Sequence, residues 1–272
     1  MPKRILEPPQ IHPTAVLDPT ARIDSGVVIE PYAIIGRQVL IGEASRVGAF
    51  TVIGDHTMIG PRNRIYHHAS VGSDSQDLKF RGGETYLILG EGNIVREYVT
   101  LNRATGPGEA TRVGDENLFM AYSHLAHNCT VGNRCVLANA AEIGGHVVID
   151  DCAIVGGVAA VHQFCRIGAH AIVGAGSKVT QDVPPFLLAD GHPVRPHGLN
   201  LIGLHRRGFT RHEIQEIERA YRIVYERSLR VEQAILALAK EFPLSPHVRE
   251  IIRFLEDSER GIIRPRKRAI AS

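Results

Sequence analysis

Four histidines, His124, His127, His146 and His162, fall in one short stretch of a 272-residue chain. Taken modulo 18, their positions give 16, 1, 2 and 0. On any coil of 18 residues they would project from one edge. By the same arithmetic His127, Gly145 and Gln163 form one column, and Asn128, His146 and Phe164 the next. An imidazole titrates at about pH 6.5, so near neutrality it can take a proton from a hydroxyl. Gly145, one coil along from His127, could offer a backbone N–H to a developing oxyanion with no side chain in the way. No Ser or Cys beside these histidines stands out as a nucleophile, which favours direct group transfer over a covalent intermediate. The rival chemistry is metal binding, since three histidines can hold zinc.

A coil of 18 is what the rest of the sequence supplies. Every sixth residue is aliphatic from Ile11 through Val71, again from Leu89 to Leu101, and from Val113 to Val179, with Phe119 as the one aromatic member. Four residues after a member comes a small or β-branched side chain, as at Ala33, Ser45, Thr51, Cys129, Cys135 and Cys165. Glycine often follows the member directly, as at Gly36, Gly42, Gly48 and Gly54. A period of six fits neither a lone helix nor one alternating strand. It fits short strands joined by corners, three to a coil, in a parallel β-helix of hexapeptide repeats. Scattered strands or a β-sandwich are the alternative. Eight or nine coils at the strand spacing of roughly 4.8 Å make a prism on the order of 40 Å long. The aliphatic column is expected inside, and the glycines are expected at corners that need φ > 0.

The repeat ends near Val183, before Pro184-Pro185, which divides the chain into residues 1–185 and 186–272. A connecting stretch, 186–208, precedes three helical patterns. Thr210 and Glu213 form a capping box for the first, with Ile214, Ile217, Tyr221, Val224 and Tyr225 on one face. The second begins near Ser228 and runs through Val231, Ile235 and Leu238. The third opens at Ser245-Pro246, buries Val248, Ile251, Ile252 and Leu255, and Gly261 is its expected stop. From residue 186 on, 16 Lys and Arg stand against 11 Asp and Glu, a balance of +5; the chain carries +2, leaving −3 for the repeat. The basic half suits an acidic partner or an anionic ligand. A solvated helix surface with a basic tail (Arg264, Arg266, Lys267, Arg268) would give the same count. No segment is long and apolar enough to span a membrane, and no signal-peptide run opens the chain. Cys129, Cys135 and Cys165 sit in the small inward slot, with no Cys–x–x–Cys pair to hold zinc, so a reduced cytoplasmic setting is expected. Nothing in the pattern calls for a nucleic-acid partner or a cofactor.

Two breaks in the register, 73–86 and 103–112, are expected to be loops leaving the prism. The first carries Asp77 and Lys79, able to accept from and donate to a polar ligand, or to stand as an exposed surface pair.

The segments QDLK at 76–79, HLAHNCTVGNRC at 124–135, GVAAVHQFCRIGAH at 157–170, QDVPPF at 181–186 and GLHRRGFTR at 203–211 together closely resemble the acyl-ACP–UDP-N-acetylglucosamine O-acyltransferases of lipid A biosynthesis. The resemblance covers nearly the full chain. It implies a left-handed β-helix followed by a small α-helical domain, and transfer of an (R)-3-hydroxyacyl group from acyl carrier protein to the glucosamine 3-position. It implies His127 as general base and the Gly145 N–H as oxyanion donor. Asp77, Lys79, His124, His146 and Gln163 would contact the sugar nucleotide, and His162 would lie near the phosphopantetheine or acyl chain. Asn200, Arg206 and Arg207 would face the nucleotide and its phosphates. Ala175 aligns with the acyl-length determinant and should shorten the pocket somewhat. Family members are homotrimers with sites in the subunit clefts. The chain departs from the family at Asn128, where Asp is usual, implying a weaker base. It departs also at Ile202 and His205, and at Pro193, where a histidine is expected and His192 stands one place earlier. Two further readings compete. One is the later N-acyltransferase of the same pathway, which carries a uridine-binding domain before its β-helix; with the repeat starting at Ile11, no room for one is expected. The other is a scaffold or metal-binding protein like the hexapeptide-repeat carbonic anhydrases, whose histidine pair is more widely spaced than His–x–x–His.

Overall fold

Most hexads form a two-residue strand and a corner; strands of three or four residues stand at Thr57–Ile59 and beside the two register breaks. In Val28–Ile29 the second residue is buried and the first faces outward, and the same holds at Ile34–Ile35 and onward. The computed structural model describes residues 7–226 and 229–265. Strands three apart in sequence pair in parallel, generating three sheets of 11, 9 and 8 strands around one left-handed β-helix. The register Arg112↔Thr130↔Val148↔Arg166 steps by 18 residues without slip. The modulo-18 placement of the histidines therefore holds. The offset widens to Ser70↔Thr100 and Thr100↔His124 where two loops leave the prism. Those loops are shorter than expected. Tyr86–Leu89 and Ala110–Val113 are already back in the sheet, paired with each other.

The aliphatic column is the core. Ile29 through Val179 are almost all below 5% exposed, Phe119 included. Ile11 departs, at 42% exposed; among the described residues its strand pairs on one side only, with Val28–Ile29. The small inward slot does more than fill space. Thr51 Oγ1 donates to the Tyr66 carbonyl at 2.9 Å, Cys129 Sγ to the Gly144 carbonyl and Cys135 Sγ to the Asp150 carbonyl, both at 3.1 Å. Each bond satisfies a half-buried corner carbonyl of the next coil; the Asp150 carbonyl also accepts from Ala153 N–H at 3.4 Å.

The glycine expectation fails in an instructive way. Gly36, Gly42, Gly48 and Gly54 do not have positive φ. They are glycine because the next coil passes too close for a side chain: a Cβ on Gly42 would lie 2.6 Å from the Gly60 carbonyl carbon. Positive φ occurs two residues further on, at nineteen non-glycine corners among the described residues, including Asn128 at 60° and His146 at 59°. A left-handed conformation costs a non-glycine residue roughly 1–2 kcal/mol. Here the corner N–H regains a partner in the coil below, as His146 N–H does with the His127 carbonyl at 3.0 Å.

The connecting stretch is partly regular. Leu187–Gly191 adds to the first sheet and hairpins with Val194–Leu199. Helix α1 (Leu201–Arg206), absent from the expected pattern, follows. Helix α2 (Arg211–Glu226) opens on the expected box, with Thr210 N–H donating to Glu213 Oε2 at 2.7 Å. Helix α3 (Val231–Glu241) is capped at Arg230; the expected start at Ser228 lies outside the described residues, as do Arg266, Lys267 and Arg268. Helix α4 (Pro246–Glu256) ends at Asp257, not at Gly261. Gly261, at φ 71°, instead turns the chain back onto the prism, where its carbonyl accepts from Asp182 N–H at 3.0 Å. Phe186, Ile217, Ile251 and Phe254 form the helical core.

Candidate active site

His127 sits at the prism corner, 9% exposed. Its ring lies over Gly145: a Cβ there would come within 2.6 Å of His127 Cε1 and Nε2. Only glycine leaves the imidazole its place. The Gly145 N–H has no hydrogen-bond partner among the described residues, whereas its carbonyl accepts from Phe164 N–H at 3.0 Å.

The tautomer follows from the neighbours. Asn128 Oδ1 accepts from Thr105 N–H at 3.0 Å, and Asn128 Nδ2 donates to Glu109 Oε2 at 2.6 Å. Both partners fix the amide orientation, since a backbone N–H needs an acceptor and a carboxylate needs a donor. Asn128 Oδ1 stands 2.9 Å from His127 Nδ1 and can only accept there. Nδ1 therefore carries the proton in the neutral ring, and the lone pair is on Nε2. Across from Nε2, at 3.8 Å, stands Asp77 Oδ2.

The loop bearing Asp77 is pinned from beneath. Arg103, 8% exposed, pairs with Asp74, donates to the Asp55 carbonyl at 3.2 Å and lies over the Phe80 ring. Ser75 Oγ bonds Thr105 Oγ1 at 2.7 Å. Lys79 N–H caps Asp77 Oδ1 at 2.9 Å, and the Lys79 side chain is exposed. The expected excursion thus returns to the histidine corner. Arg103, Thr105 and Glu109 were not legible as parts of the site. The second register break flagged their segment, but no spacing rule pointed to their partners.

His146 stacks on Phe164 at 4.7 Å and meets His127 edge-on at 5.2 Å. Burial, then the charge of His127, lowers its pKa. The same two causes, burial foremost, lower that of His124, whose Nδ1 bonds Thr100 Oγ1 at 2.7 Å. His124 and His162 line a groove of about 300 Å³ on the sheet face beside the corner, with Ala126, Glu142 and Lys178. The four histidines therefore flank one corner as two pairs. His162 Nδ1 donates to the Gln163 carbonyl at 3.0 Å, and Gln163 is exposed above Gly145. Ala175 is exposed at the corner bounding the other side of that face. Among the described residues, no group of three or more His, Cys, Asp or Glu side chains is arranged to hold a metal ion. Burial pushes the nearest thiol, Cys129, up to about 12.

Three expected residues do not join this cluster within one chain. Asn200 caps α1, its Oδ1 accepting from Gly203 N–H at 3.1 Å and its Nδ2 donating to the His170 carbonyl at 2.9 Å. Arg207 reaches the Cys152 carbonyl at 3.5 Å, on a different corner of the prism. Arg206 is its exposed neighbour at the end of the same short helix. His192 and Pro193 form the exposed tip of the hairpin, and Ile202 is 70% exposed.

Comparison with known proteins decides the family. A model for domain 2 of UDP-N-acetylglucosamine O-acyltransferase matches residues 182–263, and one for bacterial transferase hexapeptide repeats matches 110–145. The acyl-[acyl-carrier-protein]–UDP-N-acetylglucosamine O-acyltransferase of Stenotrophomonas maltophilia K279a is 45% identical over 94% of this chain and 98% of its own. The chain belongs to this O-acyltransferase family. Another member, from Janthinobacterium, is 46% identical over 93% of this chain and 99% of its own. In three dimensions the chain is similar to LpxA of Acinetobacter baumannii, with a TM-score of 0.91, 41% identity, and 93% and 99% of the two chains covered. Within the O-acyltransferase family, the histidine corner, the Asp77 loop and the helical end all fall inside the matched span.

Proposed function

We propose that this chain transfers an (R)-3-hydroxyacyl group from acyl carrier protein to the 3-hydroxyl of UDP-N-acetylglucosamine, the opening step of lipid A synthesis. One observation carries the reading. His127 is held with its lone pair on Nε2, over a side-chain-free Gly145 N–H and facing Asp77 at 3.8 Å. A sugar hydroxyl lying to one side of the pair can bond both Nε2 and the carboxylate.

In the proposed reaction Nε2 takes the hydroxyl proton as the oxygen attacks the thioester carbonyl. The carbonyl oxygen becomes an oxyanion and accepts from Gly145 N–H. Collapse breaks the C–S bond, and the departing pantetheine sulfur takes the proton back from the imidazolium. No enzyme nucleophile is needed. Asp77, Lys79, His124, His146 and Gln163 are proposed to hold the sugar nucleotide. The His124–His162 groove is proposed to take the pantetheine or acyl chain, with Ala175 limiting its length. Arg206 and Arg207 stand on another corner, so they would serve a site only from a neighbouring subunit. This supports a homotrimer with sites in its clefts. A nucleotide contact from Asn200 would have to compete with its capping bonds. The +5 balance beyond residue 185 suits acidic acyl carrier protein, and a cytoplasmic location goes with both substrates. No helix of the described residues is long and apolar enough to cross a membrane.

The test is to incubate the full chain with (R)-3-hydroxyacyl-ACP and UDP-N-acetylglucosamine and follow the ester by mass spectrometry. Product is expected from the wild type, with His127→Ala at least about 100-fold slower. Absence of product, or undiminished turnover by His127→Ala, would overturn the reading.

A further inference from the structure

The partner of the base is an amide, which brings no charge to an imidazolium. The charge stands one bond further out. Glu109 Oε2 accepts from Asn128 Nδ2 at 2.6 Å and from Gly106 N–H at 3.0 Å. Asn128 Oδ1 in turn faces His127 Nδ1 at 2.9 Å. A carboxylate on the N–H side of a primary amide draws its polarisation toward the carbonyl oxygen and strengthens what that oxygen accepts. We propose that Glu109 is a positioning residue for the base: through the Asn128 amide it orients His127 and supplies the negative charge that stabilises its imidazolium. The inference rests on the acyl-transfer reading of the same site.

Two further facts fit. The hydrogen bond from Asn128, then that from Gly106, holds the Glu109 carboxyl below its usual range, so it is ionised wherever the base is active. Among the described residues the Asn128 oxygen is shared only by Thr105 N–H and His127, so no other group competes for it. Other charges face His127 as well: Asp77 at 3.8 Å from the first loop, His124 on the adjoining strand, and His146 on the coil above, which itself feels Lys79. Glu109 is distinguished by acting on the Nδ1 side through a bonded relay, where Asp77 faces Nε2 directly.

The relay has a consequence that a structural bond would not. Glu109→Gln keeps the size of the side chain and removes the charge. It is expected to lower kcat/KM about 5- to 10-fold and to move the acidic limb of its pH profile to lower pH. Asn128→Asp alone would set two carboxylates against each other where 2.6 Å now separates donor and acceptor, and should not raise activity. The double variant Glu109→Gln with Asn128→Asp places the charge directly on His127 Nδ1 and should recover to within about twofold of wild type. Titration of the labelled His127 ring by NMR reads the same effect without turnover, and the imidazole pKa should fall in Glu109→Gln. An unmoved NMR titration, or a double variant no better than Glu109→Gln, would overturn the role of Glu109. A wild type that makes no ester would overturn acyl transfer while leaving the NMR comparison informative.

Discussion

A methyl group at Gly145 would test whether the glycine is there for the histidine. In Gly145→Ala the added Cβ starts 2.6 Å from His127 Cε1 and Nε2 and 3.2 Å from Cδ2. The backbone accepts alanine, since φ at 145 is outside the left-handed region. The whole strain therefore falls on the imidazole. Ordinary contact begins at 3.4 Å, so the ring must retreat by about 0.8 Å. It cannot do so freely, because Asn128 Oδ1 holds Nδ1 at 2.9 Å and His146 packs edge-on. A misplacement on the order of 1 Å costs up to about 100-fold in rate, so kcat/KM should fall about 10- to 100-fold, or ~1.4–2.7 kcal/mol of transition-state stabilisation. The N–H of residue 145 survives the substitution, so the oxyanion donor is kept and the loss reports crowding by the new methyl, chiefly of the base's ring. Steady-state kinetics with both substrates, beside a melting curve, make the assay. Retention of activity within twofold in a well-folded variant would refute the placement of the ring.

Other consequences follow from the stacking of coils and the burial of titratable groups. Gly42→Ala puts a Cβ 2.6 Å from the Gly60 carbonyl carbon; overpacking of this kind should cost ~1–3 kcal/mol, read as a lower urea midpoint. Burial first, then Arg207 and His247, lowers His170 to about 4. Between its unfolded value of about 6.5 and about 4 the unfolded chain therefore binds the extra proton, so His170 lowers stability as pH falls through that window and has no such effect above it. Melting temperatures from pH 7.5 down to pH 4.5 check this, and His170→Phe should flatten the decline. Cys129 and Cys135, buried and pushed up to about 12, should resist a thiol reagent at pH 8 in the native protein and react once it is denatured.

The aliphatic register made the prism legible because one large aliphatic residue in every six must point inward, and a single inserted residue would break the column. The same register located His127 against Gly145, since both lie on coils with no insertion between them. It misread the glycines. Period alone cannot distinguish a residue that needs positive φ from one that lies under the next coil, and Gly42 and His146 illustrate the two cases. It also could not reach the loops. Asp77 meets His127 only because Arg103 and Thr105 pin its segment, and such contacts have no periodic signature. The helical end was legible where caps and amphipathic faces coincide, at Thr210–Glu213 and Ser245–Pro246. It was illegible at α1, which has six residues and one buried side chain, Leu204. The separation of Arg207 from the histidine corner is a fact of the single chain that spacing could not foretell.

The position of the bound product is the most direct test of acyl transfer at this corner. A crystal structure of the chain with the 3-O-acylated sugar nucleotide should put the sugar 3-oxygen within about 2.6–3.2 Å of His127 Nε2. It should put the acyl carbonyl oxygen about 2.7–3.1 Å from Gly145 N. A product seated away from this corner, or one whose 3-oxygen faces Nδ1, would contradict it.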